Sequence, residues 1–218
     1  RTYNLFTTDP QNGLVANPLF LVLGLVSKVT TLPLITVFQG ARVLFAVTLF
    51  LAVKKLIETR ISNPKTLWTS LLFIAFSSGI GWLPPFSNLV GFDSPIDRWQ
   101  PEAITYLSLY LNPLFLASMT LQVLILHHLL ESVGSSERSS ALKAGGWGFL
   151  LALIHGYDII SLGVVWALYL IYQFRTNSKE STAATLKNTL VAGAITLPPA
   201  LFMYLQLKSN SVFRQRVE

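Results

Sequence analysis

From Pro33 to about Glu58 the interior of the chain is apolar except for Gln39 and Arg42. A helix needs roughly 20 such residues to cross a bilayer. Only helices and closed barrels satisfy every backbone N–H and C=O in hydrocarbon. The run therefore predicts a membrane-crossing helix, opened by Pro33 because proline is welcome in a first turn. Further apolar stretches lie at Leu67 to about Trp82, 103 to about 128, Gly145 to Tyr172, and Asn188 to about Leu207. The segment LFLVLGLVSKVTT after Pro18 is shorter, carries Lys28, and reads as a helix lying at the interface, with Lys28 snorkelling. Composition agrees: 52% of residues are hydrophobic and 12% charged, where a soluble domain carries about twice that share of charge. The expected fold class is all-α. It is a polytopic membrane helical bundle of about six membrane helices, including a short-helix hairpin, plus an interfacial helix.

Several function classes drop out. The sequence has no cysteine, which removes disulfides and thiolate metal sites. A net charge of +6 is compatible with nucleic acid, but membrane proteins gather Lys and Arg in cytoplasmic loops anyway. No basic stripe interleaved with aromatics appears, so the expected partner is membrane lipid and not nucleic acid. Walker loops, dinucleotide fingerprints, HExxH and nucleophile elbows do not occur. No metal site is expected: His127 and His128 stand beside Glu131, but adjacent helical residues point about 100° apart. The residues before Pro18 are polar and contain Pro, Gly and Asn, without a signal peptide. A chain opening in the middle of a loop reads as a piece of a longer protein.

The stretch LALIHGYDIISLG, Leu151 to Gly163, holds the sharpest question, since His155 and Asp158 interrupt two apolar runs. One kinked helix from Gly145 to Tyr172 would leave both in hydrocarbon, at about 2.5–3.5 kcal/mol for the acid. Two short helices meeting at Gly156 would bring them to a membrane face, with neighbouring helices or a water-filled cavity sheltering the turn. The positive-inside rule chooses between them. With a hairpin, loops 54–65, 131–143 and 175–187 share one side and collect Lys54, Lys55, Arg60, Lys65, Arg138, Lys143, Arg175, Lys179 and Lys187. A single helix would move the last three across. The hairpin is the expectation, and it puts the N-terminal segment, the DRWQPEA loop and the HGYD turn on the outer face.

On that face Glu102 and Asp158 are the candidate catalytic acids. Glu102 after Pro101 also suits a plain helix start, but acids at a membrane edge are functional by default. His155, Tyr157, Asp97, Arg98 and Trp99 are the candidate substrate-binding residues: a cation or helix start suits an anion, and an acid suits hydroxyls. The bland readings are an interfacial His–Asp pair, and a surface pair of Arg98 with Asp97. Arg42 must find a partner or reach an interface, and such residues more often tie helices together than touch substrate. Trp82, Trp99 and Trp147 read as interface-belt aromatics.

Three segments carry a resemblance. ANPLFLVLGLVSKVTTLPLITVFQGARVLFAVTLFLAVKKL holds Asn17, Pro18 and Phe20, then Arg42 early in a helix that ends at Lys54-Lys55. QPEAITYLSLYLNPLFLAS places Glu102 before a helix that is kinked or starts afresh at Asn112-Pro113. GGWGFLLALIHGYDIISLGVVWALYLIY forms the hairpin. Together, over roughly Asn12 to Tyr172, they resemble the membrane glycosyltransferases of the GT-C fold, the protein O-mannosyltransferase and lipid A aminoarabinose transferase group. The family's hairpin turn often carries Lys-Gly-Pro, and this chain has His155-Gly156-Tyr157 there. The resemblance implies transfer of a sugar from a polyprenyl-phosphate-linked donor to an acceptor (protein, lipid or glycan) on the outer face of a bacterial or archaeal cell membrane. It implies no cofactor beyond the donor substrate itself. It also implies that the first helix, and an outer loop with a catalytic Asp, lie upstream of Arg1, so that residues 1–218 alone are inactive. Two rivals stand beside it: a lipid or solute transporter, whose mark would be an inverted hydropathy repeat, and a non-enzymatic membrane protein.

Overall fold

The structure, a computed structural model, describes residues 17–76, 105–176 and 178–209. Among the described residues every regular element is an α-helix. In chain order they are α1 (Pro18–Thr30), α2 (Leu34–Glu58), α3 (Pro64–Phe76), α4 (Thr105–Leu111), α5 (Pro113–Glu131), α6 (Ser139–Ile154), α7 (Asp158–Thr176) and α8 (Lys179–Ser209). The chain forms two compact units, one of residues 30–123 and one of residues 1–29 with 124–218.

A recurring device starts these helices. Asn17, Asn63 and Asn112 each precede a proline and accept a backbone N–H two residues on: Leu19 at 3.0 Å, Lys65 at 2.9 Å and Leu114 at 3.0 Å. Asparagine supplies the missing acceptor at a helix N-terminus, and proline sits where its absent N–H costs nothing. At Asn112 the device divides the expected 103–128 span into α4 and α5.

Among the described residues four helices are long and apolar enough to cross a membrane: α2, α5, α7, and α8 as far as Gln206. Two shorter apolar helices, α1 and α6, accompany them. Leu34, Ile35, Val43, Leu44, Val47 and Leu51 of α2 are each more than half exposed. Large apolar side chains exposed in such number along one helix call for lipid in place of water. These are the marks of a membrane protein.

In the unit of residues 30–123, Leu49 and Val53 of α2, Leu67 and Leu71 of α3, and Leu116 of α5 make the buried core. Arg42 finds its partner here: its Nη1 donates to the Tyr110 carbonyl, and its guanidinium lies 6.0 Å from the centre of the Tyr110 ring. The arginine thus ties α2 to α4.

In the other unit α6, α7 and α8 run up, down and up. A side chain added at Gly145 would meet Ile195 and the Ala192 backbone, one at Gly148 would meet Thr196, and one at Gly156 would approach Met203. The contacts advance together along both helices, so α6 and α8 are parallel and in close backbone approach. Ala141, Ala144, Gly145, Gly148 and Ala152 supply the small buried face that permits it. α7 returns alongside this pair, held by the Trp166 Nε1–H bond to Thr189 Oγ1 at 3.0 Å.

Three boundaries differ from expectation. α6 begins at Ser139 and α7 runs to Thr176, so the hairpin is longer than the apolar run, and α7 by itself reaches spanning length. α8 begins at Lys179 instead of Asn188, because charge ended the apolar pattern without ending the helix. The Ser178 carbonyl accepts from the Thr182 N–H at 3.1 Å and starts that helix early. α8 also continues through Pro198 and Pro199. The Leu67–Trp82 span is described only as α3, from Pro64 to Phe76.

Candidate functional site

The turn between α6 and α7 gathers the polar groups of this unit's upper end. His155 breaks α6 with φ −152° and ψ 67°, while its N–H still bonds the Leu151 carbonyl at 2.8 Å. The N–H groups of Asp158, Ile159 and Ile160 donate to the carbonyls of His155, Gly156 and Tyr157 at 3.2, 3.3 and 3.0 Å. The first turn of α7 is therefore satisfied within the chain. The Asp158 side chain turns to the imidazole: His155 Nδ1 lies 2.7 Å from Asp158 Oδ2.

An ionised carboxylate only accepts, so this contact places a proton on Nδ1. The other ring nitrogen is Nε2. His155 is 5% exposed and the Asp158 side chain 22%. The Tyr157 ring lies 4.4 Å from the His155 ring, edge to face, and is itself 61% exposed. Gly156 fits because a Cβ there would sit 3.1 Å from the Ala152 carbonyl oxygen. The arrangement is an imidazole fixed in tautomer and orientation by an acid and lidded by a phenol, a geometry suited to proton transfer.

Asn17 completes the turn. The end of α6 leaves the Ile154 carbonyl without a helical donor, and Asn17 Nδ2 supplies one at 2.7 Å. The same side chain caps α1, so the start of α1 is fastened to the turn. This role was invisible as a pattern: Asn17-Pro18 reads as a helix start, and nothing local names the distant carbonyl.

Of the sequence-predicted site, the structure brings His155, Tyr157 and Asp158 together. Asp97, Arg98, Trp99 and Glu102 lie outside the described residues.

The lower end of the unit is built differently. Asn188, 2% exposed, donates from Nδ2 to the Ser132 and Ser135 carbonyls, both at 2.9 Å. Thr185 Oγ1 accepts from the Gly134 N–H at 2.9 Å, where Gly134 adopts φ +67°. That turn is clamped onto α8. Beside it, His127 and His128 converge on Glu131 despite being consecutive, which departs from the divergence expected of neighbours on a helix. They reach the acid with different ring nitrogens. An apolar cavity of about 170 Å³ lies among α5, α6, α7 and α8, lined by Leu129, Ile159, Leu162, Trp166 and Thr189 among others.

No protein family, curated protein or solved structure matches this chain.

Proposed function

We propose that this chain is the membrane-embedded part of a GT-C-like glycosyltransferase with about six membrane helices. In this reading it transfers a sugar from a polyprenyl-phosphate donor to an acceptor on the outer face of the cell membrane. The observation that carries the reading is the His155–Asp158 pair, 2.7 Å apart at the head of a helix hairpin in an apolar bundle. Charge supports the orientation. Arg138, Lys143, Arg175, Lys179 and Lys187 cluster toward the other end of α6–α8, and basic ends stay in the cytoplasm. The apolar cavity between the helices matches the chemistry of a prenyl chain.

In this reading His155 Nε2 takes the proton of the acceptor hydroxyl as its oxygen attacks the anomeric carbon. The bond from that carbon to the phosphate oxygen breaks, and polyprenyl phosphate leaves with the electron pair. Asp158 holds the imidazole in the tautomer that can accept this proton and stabilises the imidazolium that forms. The pairing thus moves the acid–base work toward His155 and gives Asp158 the orienting role. Tyr157 covers the ring and must swing aside for the acceptor. Glu102 and Asp97 serve the sugar or acceptor hydroxyls, Trp99 stacks on the sugar, and Arg98 meets the phosphate. Of these four assignments Glu102 rests on the resemblance, and Asp97, Arg98 and Trp99 rest on the chemistry of their side chains in an outer loop.

The test is transfer by the purified full-length protein in liposomes, supplied with a panel of polyprenyl-phosphate hexoses. His155→Gln should lower kcat by about 10²–10⁴-fold, the typical worth of a general base. Asp158→Asn should fall in the same direction, with helical content unchanged in both. No transfer by the wild type, or near-normal turnover in both variants, would reject the reading.

A further inference from the structure

Among the described residues the transfer chemistry leaves a titratable cluster unused, at the opposite end of the unit from His155. At the end of α5 the rings of His127 and His128 lie 5.0 Å apart, and the residues are 2% and 8% exposed. His127 Nε2 is 3.2 Å from Glu131 Oε1, and His128 Nδ1 is 2.9 Å from Glu131 Oε2. The side chains diverge at Cα, but the remote nitrogen of one and the near nitrogen of the other return to a shared point. Ser140 Oγ, from the first turn of α6, donates to the same carboxylate at 3.4 Å.

We propose that His127, His128 and Glu131 form a binding site for a divalent transition-metal ion of the Zn²⁺ class. One donor atom from each lies within 4.8 Å of the others. A tetrahedral ion with ligands at 2.0–2.2 Å needs donors about 3.4 Å apart, so small side-chain rotations close the site. Two imidazoles and a carboxylate form a donor set that zinc, cobalt, nickel and copper favour over magnesium or calcium. The electrostatics agree. One carboxylate balances a single imidazolium, and burying a second charged ring is unfavourable. A dication between two neutral rings and one acid avoids that problem, and the carbonyl end of α5 adds a favourable field. Three protein ligands leave a position for water or a small ligand, the pattern of an open site. Ser140 keeps the carboxylate aimed, as an outer partner does in metal sites.

The experiment uses the full-length protein, purified in detergent without a polyhistidine tag, stripped with chelator and titrated with Co²⁺. The expected result is one equivalent per chain, a visible ligand-field band of four-coordinate intensity, and displacement by Zn²⁺. Glu131→Gln alters a side chain that is 41% exposed, so it tests the site with little risk to folding. It should weaken cobalt binding by more than about tenfold, beyond what losing an outer partner typically costs at the low end. His128→Gln should do the same with an unchanged helical spectrum. A wild-type protein with no such band, or full affinity in both variants, would show only a His–Glu cluster that takes no metal and would overturn the proposal.

Discussion

At the scale of single residues, the informative groups are polar side chains that answer a backbone need. Asn188 is the clearest: both its donor hydrogens go to carbonyls of the turn between α5 and α6. Leaving buried acceptors unmet costs about 1–3 kcal/mol. Asn188→Asp, nearly isosteric, removes the donors and turns an oxygen toward those carbonyls, so its cost should reach or pass that range. Thermal unfolding in detergent measures it, and a melting temperature equal to wild type would contradict the clamp. The sequence shows Asn188 only as a polar residue near the start of an apolar run, because its partners lie more than fifty positions away. His155 and Asp158 were legible for the opposite reason. They interrupt apolar runs, and a spacing of three lets them meet across a turn. Glu102→Gln offers a further separation. A helix-start acid is worth about 0.3–1 kcal/mol and leaves turnover near normal, whereas the proposed site role predicts lost transfer with insertion intact.

At the scale of elements, apolar length and proline placed the helices well: α2 begins after Pro33, and α5 begins at Pro113. Their ends were less legible, since hydropathy reports where lipid stops and not where hydrogen bonding stops. α8 shows this, with Lys179 and Glu180 in its first turn. Helix pairing was not legible at all, because the small face of α6 gains meaning only beside α8. That face carries a paired prediction. A Cβ at Gly145 would fall 2.8–2.9 Å from Ile195 atoms and 3.2 Å from the Ala192 Cα, where a backbone cannot yield cheaply. Gly145→Val should therefore destabilise by about 1–3 kcal/mol through overpacking. Gly146 meets nothing within 4 Å, so Gly146→Ala should be neutral or stabilise the helix by up to about 1 kcal/mol. Equal melting shifts for the two would contradict the parallel packing of α6 on α8.

At the scale of the whole molecule, apolar exposure and charge asymmetry carry the account. Helices with exposed apolar faces require lipid, and the basic residues around α6–α8 sort toward the end away from the HGYD turn. The hairpin was legible because a single helix would have buried an acid and scattered those cations. The convergence of His127 and His128 was not, because spacing fixes the direction of Cβ but not which ring nitrogen is presented. In the proposed reading the His155–Asp158 turn faces the outside while both basic turns face the cytoplasm. The sequence has no cysteine, so each introduced thiol is a unique reporter. Ser136, Ser178 and Tyr157 are all exposed, and each can be replaced singly by Cys and treated in intact cells with a membrane-impermeant maleimide. Tyr157→Cys should label at once, and Ser136→Cys and Ser178→Cys only after permeabilisation. Labelling of Ser136→Cys or Ser178→Cys from outside, or protection of Tyr157→Cys until the membrane is opened, would contradict it.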